Sequence, residues 1–148
     1  MNRFINFATY TAIIAFLLNL VWENAQAPLY AGYVGFWQHF SLCFWGTLGD
    51  VLIILFLYGL FALANRNAYW IQSWGVTSIV LLAFTGMILA ILIEYYALSV
   101  GRWSYAPSMP LFLWTKAGVW PVLQMTILPY VTFDCARRMM QYERLLRH

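Results

Sequence analysis

The chain has 148 residues, of which 64% are hydrophobic, 20% aromatic and only 9% charged. A soluble domain is typically about one-quarter charged, and a core of this size cannot hide so much apolar surface from water. The composition excludes a disordered chain, a disulfide scaffold and an ordinary cytosolic enzyme, and it sends the apolar surface to lipid.

The net charge of +3 does not mark a nucleic-acid surface, because the cations sit at the chain ends: Arg3, then Arg137, Arg138, Arg144 and Arg147. Such clusters beside apolar runs are topology signals that also attract anionic lipid, and no groove-reading motif accompanies them. No nucleic-acid partner is expected.

Four apolar runs reach the roughly 20 residues of a membrane-crossing helix: Phe4–Gln26, Leu42–Ala64, Ile71–Val100 and Ala117–Ala136. The expected fold is an all-α membrane protein, with residues 1–148 forming one four-transmembrane-helix bundle. Arg3, Arg66 and the four C-terminal arginines fall on one side, whereas Arg102 and Lys116 fall on the other. This bias places both termini in the cytoplasm. A multi-pass protein of a bacterial-type cell membrane is expected.

The first run carries Asn19, Glu23 and Gln26 at helical spacing, with Tyr30 on the same face if the helix continues. Ala25-Gln26-Ala27 imitates a signal-peptide cleavage site, but Pro28 would follow the cut, so the run is expected to remain a helix. Trp22, Tyr30, Tyr33, Phe36 and Trp37 make the following region aromatic, as suits a membrane–water boundary.

In the second run His39, Cys43, Gly46 and Asp50 repeat the helical stepping. Asp50 is about seven residues, or roughly 10 Å, below the outer end. Cys43 and Cys135 lie near opposite membrane surfaces, too far apart for an intramolecular disulfide.

The third run offers Ala83, Met87, Ala90 and Glu94 as a mostly small face for close helix contact, with Glu94 at the depth of Asp50. The loop after it, Gly101-Arg102-Trp103-Ser104-Tyr105, sets a cation among aromatics above the acids. Arg102 is expected to pair with Glu94 or Glu23; the alternative is a bidentate grip on an anionic headgroup or phosphate.

In the fourth run Pro121 and Pro129 free the carbonyls of Ala117 and Met125, which must then face protein or trapped water. Gln124 offers a donor and an acceptor one turn from Pro121. Glu23, Asp50, Glu94 and Gln124 thus share one layer, and intramembrane polar groups are costly enough to turn inward and meet. Simple interhelical fastening is the plainer account of that layer. Glu23 and Glu94 are 71 residues apart, Asp50 and Gln124 74, and Arg66 and Arg137 71, which points to two pseudo-repeated helical hairpins.

Glu94, the Gly101–Tyr105 loop, Met109-Pro110, Gly118, Pro121 and Gln124 together resemble integral-membrane carotenoid-modifying enzymes of the lycopene cyclase and bisanhydrobacterioruberin hydratase type. The likeness covers Glu94–Gln124. Where the cyclases carry a proline and paired glutamates, this chain has Pro121 and then Gln124. Trp22–Tyr30 and Gly49-Asp50 are also similar to small four-span membrane proteins without an assigned role.

Two functions stay open. The first is an isoprenoid- or lipid-modifying cyclase, isomerase or hydratase, in which a desolvated carboxyl protonates an alkene and aromatic faces stabilise the cation. Glu94, Asp50 and Glu23 would be the catalytic acids and bases, and Arg102, Trp103, Tyr105, Gln124, Gln26 and Trp22 would hold the substrate. The second is a non-catalytic subunit or assembly factor, in a homo-oligomer or a larger membrane complex, docking through the small face of the third helix. No cofactor motif is present. A metal, if bound, would take His39, Cys43 and Asp50.

Overall fold

The computed structural model describes residues 3–146, so Arg147 of the cationic tail lies outside the described residues. Four long helices dominate: α1 (Arg3–Gln26), α2 (Phe36–Ala64), α3 (Val76–Ser99) and α4 (Val119–Leu146). Helices α1, α2 and α3 are each long and apolar enough to cross a membrane, which marks a multi-pass membrane protein. At 1.5 Å per residue they run about 36–44 Å, longer than the about 30 Å of a hydrocarbon core.

The fourth helix is less apolar than the sequence reading expects, and among the described residues it is not one of the three helices apolar enough to cross a membrane. It packs on both α1 and α3, and Val122, Gln124, Leu128, Thr132 and Phe133 are buried. Its buried face tolerates polar residues such as Gln124 and Thr132 that a lipid-facing surface would not, while Trp120, Ile127 and Tyr130 stay exposed. Helix α1 packs on α2 and α4, whereas α2 and α3 barely meet. The α1–α4 contact therefore has no counterpart of similar extent between α3 and α2.

Three boundaries differ from expectation. Helix α2 starts at Phe36 rather than Leu42, since no breaker follows Gly35, and aromatics read as an interfacial loop instead form its first turns. Helix α3 starts at Val76 rather than Ile71. Trp70–Ser73 make a separate 3-10 turn that buries Trp70 and Ile71. Helix α4 continues about ten residues past Ala136, where Asp134 pairs with Arg137 at 2.5 Å and Arg138 at 2.6 Å.

We call the end holding residues 27–35 and 100–118 the upper end, and the end holding residues 65–75 the lower end. At the lower end Trp70 packs among Tyr58, Phe61 and Phe133, with ring centroids 5.1–6.3 Å apart. The Tyr58 hydroxyl donates to the Ala68 carbonyl. Trp74 stacks on Tyr130 at 5.3 Å, and the Arg137 guanidinium lies 5.7 Å from the Trp74 ring centre.

Helices α2 and α3 end in the same turn. After α3, Gly101 donates to Leu98 and Arg102 to Ala97, with Gly101 at φ +68°. After α2, Arg66 donates to Leu63 and Asn67 to Ala62, but the left-handed position is held by Arg66 at φ +49°. This is the Schellman closure, which favours glycine there. A side chain in that conformation costs about 1 kcal/mol or more.

The α3–α4 seam depends on a glycine. Pro129 inside α4 leaves the Met125 carbonyl without its helical donor. That oxygen lies so close to α3 that a Cβ on Gly86 would stand 2.0 Å from it. The freed acceptor thus faces the Gly86 backbone, where a Cα–H contact replaces part of the lost bond. On α3 the buried face is Leu82, Gly86, Ala90, Glu94 and Ala97. Ala83 and Met87, expected on that face, flank it half-buried. The small face is already covered by α4.

Gly86→Ala should therefore push α3 off α4 and cost about 1–3 kcal/mol, the range for overpacking a tight core. Gly59→Ala, where an added Cβ meets nothing within 4 Å, should be neutral or slightly stabilising. Thermal unfolding of both variants in detergent checks the contrast.

Candidate functional site

Polar side chains from α1, α2 and α4 converge below the upper end, on Gln124. Its Nε2 donates to Asn19 Oδ1 at 2.9 Å and to Asp50 Oδ2 at 2.8 Å. Its Oε1 accepts from Gln26 Nε2 at 3.0 Å. Gln26 Nε2 also donates to Glu23 Oε1 at 2.6 Å. The Glu23 carboxyl thus joins the group through Gln26, and the Asp50 carboxyl through Gln124.

Local sequence explains the convergence. Asn19, Glu23 and Gln26 occupy one face of α1, which stops at Gln26 as the 3-10 turn Ala27–Leu29 begins. Pro28 thus closes the helix rather than kinking it, and Tyr30 leaves the helical face. On α2, Cys43, Gly46 and Asp50 share the facing stripe. A Cβ on Gly46 would stand 3.1 Å from Glu23 Oε2, so the bare backbone there makes room for the carboxyl. The buried Cys43 thiol is 3.7 Å from the Glu23 carbonyl oxygen.

A second group holds Glu94, which is only 5% exposed. The Tyr105 hydroxyl and Trp103 Nε1, the latter at 3.1 Å, both donate to its Oε2. The Tyr105 oxygen accepts from the Gly118 N–H at 2.8 Å, which leaves its proton for Glu94. Burial first, then the bond to Glu94 and its charge, push the Tyr105 phenol up, so it stays a neutral donor.

The loops that supply these donors are tied together. Ala31 N–H donates to Ser104 at 2.9 Å and Ala106 N–H to Leu29 at 2.9 Å, an antiparallel bridge between Tyr30 and Tyr105. The Tyr30 ring lies 5.5 Å from Tyr105 and 6.4 Å from Trp103. The Ala117 carbonyl freed by Pro121 accepts from Phe112 N–H at 2.8 Å, so this proline caps α4 without a kink.

Glu23, Asp50, Glu94, Gln124, Gln26, Trp103 and Tyr105 all enter these two groups. Arg102 does not. It is exposed, and among the described residues the ion pairs are those of Asp134 with Arg137 and Arg138. The expected pair with Glu94 or Glu23 fails because the Gly101 turn directs alternate residues apart, Arg102 outward and Trp103 inward. Trp22 is half-buried and meets Trp120 edge-on at 5.9 Å. Its Nε1 and Gln26 Oε1 are buried without a partner.

His39 packs on Tyr33 at 5.3 Å, away from the acids. Eleven residues of helix separate it from Asp50, about 16 Å along the axis. Among the described residues no three His, Cys, Asp or Glu side chains gather as a metal set. Sequence reasoning placed Asn19 on the polar face of α1 but did not foresee it as a partner of Gln124. The Gly118 backbone donor was likewise missed, since nothing in a glycine's identity shows where its N–H points.

Gln124→Leu keeps most of the side-chain volume and removes every bond to Asn19, Asp50 and Gln26. Bonds between membrane helices average about 0.6 kcal/mol each, and buried partners left unpaired add to the loss. The variant should lose about 2–4 kcal/mol, measured as reduced thermal stability in detergent.

Comparison of the chain with protein-family models, curated proteins and solved structures gives no match.

Proposed function

We propose that the protein is a membrane-embedded acid–base enzyme acting on an isoprenoid or another unsaturated lipid. The observation that carries this reading is the convergence of the Glu23 and Asp50 carboxyls on the linked amides of Gln26 and Gln124. On this reading the two carboxyls hold one proton between them, and such a pair is a ready acid. Glu94, which accepts from two donors, suits the base. In this scheme the pair's proton adds to one alkene carbon and leaves a carbocation on the other. Loss of a neighbouring C–H proton to Glu94 then gives an isomerised alkene. Where a second double bond of the same lipid attacks the cation first, the new C–C bond closes a ring and the proton leaves from the cation so formed; attack by water, with loss of its proton to Glu94, gives an alcohol.

Other features support the reading. Tyr30, Trp103 and Tyr105 offer aromatic faces near Glu94 that attract a cation. Glu23 and Asp50 are half-buried rather than sealed. Helices α2 and α3, which carry Asp50 and Glu94, barely meet, so a lipid would have a lateral way in between them. The resemblance of Glu94–Gln124 to carotenoid cyclases and hydratases points the same way. The subunit reading is weakened, because the small face of α3 that would dock a partner is covered by α4.

In this reading all four helices cross the membrane, both termini are cytoplasmic, and the acids lie in the outer half. The bond between Asp50 and Gln124, matched residues of the two hairpins, favours a repeat with a shared site, and the missing α2–α3 counterpart of the α1–α4 contact counts against one. Single cysteines at Val34 and Asn67, with Cys43 and Cys135 changed to Ser, test the topology. Only position 34 should react with an impermeant reagent added outside; labelling at 67 would reverse the orientation.

Glu94→Gln and Asp50→Asn should insert and fold, because an amide keeps size and hydrogen-bonding capacity. Turnover should fall about 10²–10⁴-fold, the usual contribution of a positioned acid or base. Lipid extracts from cells expressing the wild type, each variant and an empty vector, compared by mass spectrometry, provide the assay. Identical profiles throughout, with a partner complex lost only in the variants, would instead establish the subunit reading.

A further inference from the structure

The lower end holds features that the acid site does not use. A groove of about 600 Å³ runs along α1 and α2, lined by Ala8, Leu55, Gly59, Ala62 and Leu63, with Arg66 and Asn67 at its rim. Its walls are small and apolar, and the residues at its mouth are polar. That is the division of a phospholipid into acyl chain and headgroup. Behind Tyr58 and Ala68, which line both spaces, lies a smaller cavity of about 120 Å³ that includes Arg137.

Arg66 is the cation at this rim without an acid. Arg137 and Arg138 both pair with Asp134, and no described carboxylate pairs with Arg66, which is exposed. Arg66 also occupies the one position of its turn where the backbone favours glycine, at φ +49°. The chain makes the identical turn after α3 with Gly101. A left-handed arginine, where glycine would close the helix at lower cost, is the kind of strained position that clusters at ligand clamps. A guanidinium offers paired donors that fit phosphate oxygens.

From the groove, the free cation and the strained turn together, we infer that the lower end binds one anionic phospholipid. Its acyl chain lies in the α1–α2 groove and its phosphate on Arg66. The inference rests on the membrane placement of α1 and α2 and not on the acid site. On the cytoplasmic side, where the positive-inside bias puts this end, anionic lipids are abundant.

The test compares the purified full chain in nanodiscs of phosphatidylcholine alone and with phosphatidylglycerol added. The wild type should unfold several degrees higher with phosphatidylglycerol, and native mass spectrometry should retain one such lipid per chain. Arg66→Gly relaxes the turn, so it should be at least as stable as the wild type in phosphatidylcholine while losing most of the phosphatidylglycerol shift. Gly59→Leu, which fills the groove, should lose the retained lipid with Arg66 intact. A full shift in Arg66→Gly would overturn the proposal. So would an equal shift from inorganic phosphate or glycerol phosphate alone, which would make this a phosphate site rather than a lipid site. Loss of lipid binding with normal acid-site turnover would leave the enzymatic reading untouched, and the converse holds as well.

Discussion

An amide inside an apolar bundle must find partners among its neighbours, because lipid offers none. Gln124 uses both halves of its amide, joining Asn19 and Gln26 of α1 to Asp50 of α2 from its place on α4. These bonds fix how three helices are rotated about their axes, since a quarter turn of any one would strand a buried polar group. Apolar packing alone is permissive about rotation, as lipid tails and leucines are nearly equivalent surroundings. The remaining architecture follows from this hub. Helix α4 carries the hub residue on its buried face, and the bare backbone at Gly46 leaves room for Glu23.

The third helix joins by a different device. It makes no bond to Gln124. It is drawn against α4 by backbone proximity at Gly86, and its acid is served by the loop rather than by the other helices. The two groups of carboxyls therefore have separate supports, one inside the bundle and one hanging from the stitched upper loops. The backbone bridge between residues 29–31 and 104–106 ties the loop that serves Glu94 to the end of α1.

Much of this was legible in the residues. Apolar runs separated by charged or aromatic punctuation locate the helices, and depth counting puts Glu23, Asp50, Glu94 and Gln124 in one layer. What could not be read was direction. Arg102 and Trp103 are neighbours in sequence, and only the handedness of the Gly101 turn decides which faces Glu94. The start of α2 at Phe36 was hidden because aromatics suit a membrane boundary equally well as loop or as helix. The extension of α4 was hidden because charge ends an apolar run but does not end a helix. Pro129 announced a freed carbonyl, yet its partner on α3 is a glycine, whose want of a side chain gives a sequence pattern nothing to count.

The 74 residues between Asp50 and Gln124 also impose an order in time. A ribosome adds about 5–20 residues per second, so roughly 4–15 seconds pass between the synthesis of one partner and the other. During that interval the first hairpin has its acids and amides but not the residue that satisfies them. An isolated hairpin bearing Asn19, Glu23, Gln26 and Asp50 is a poor tenant of the bilayer. It would be held at the insertion machinery, or would borrow partners there, until the fourth helix emerges. Release into lipid then becomes a single event for the whole chain, and a ribosome stalled before residue 124 would leave a hairpin suited to the attention of membrane quality control.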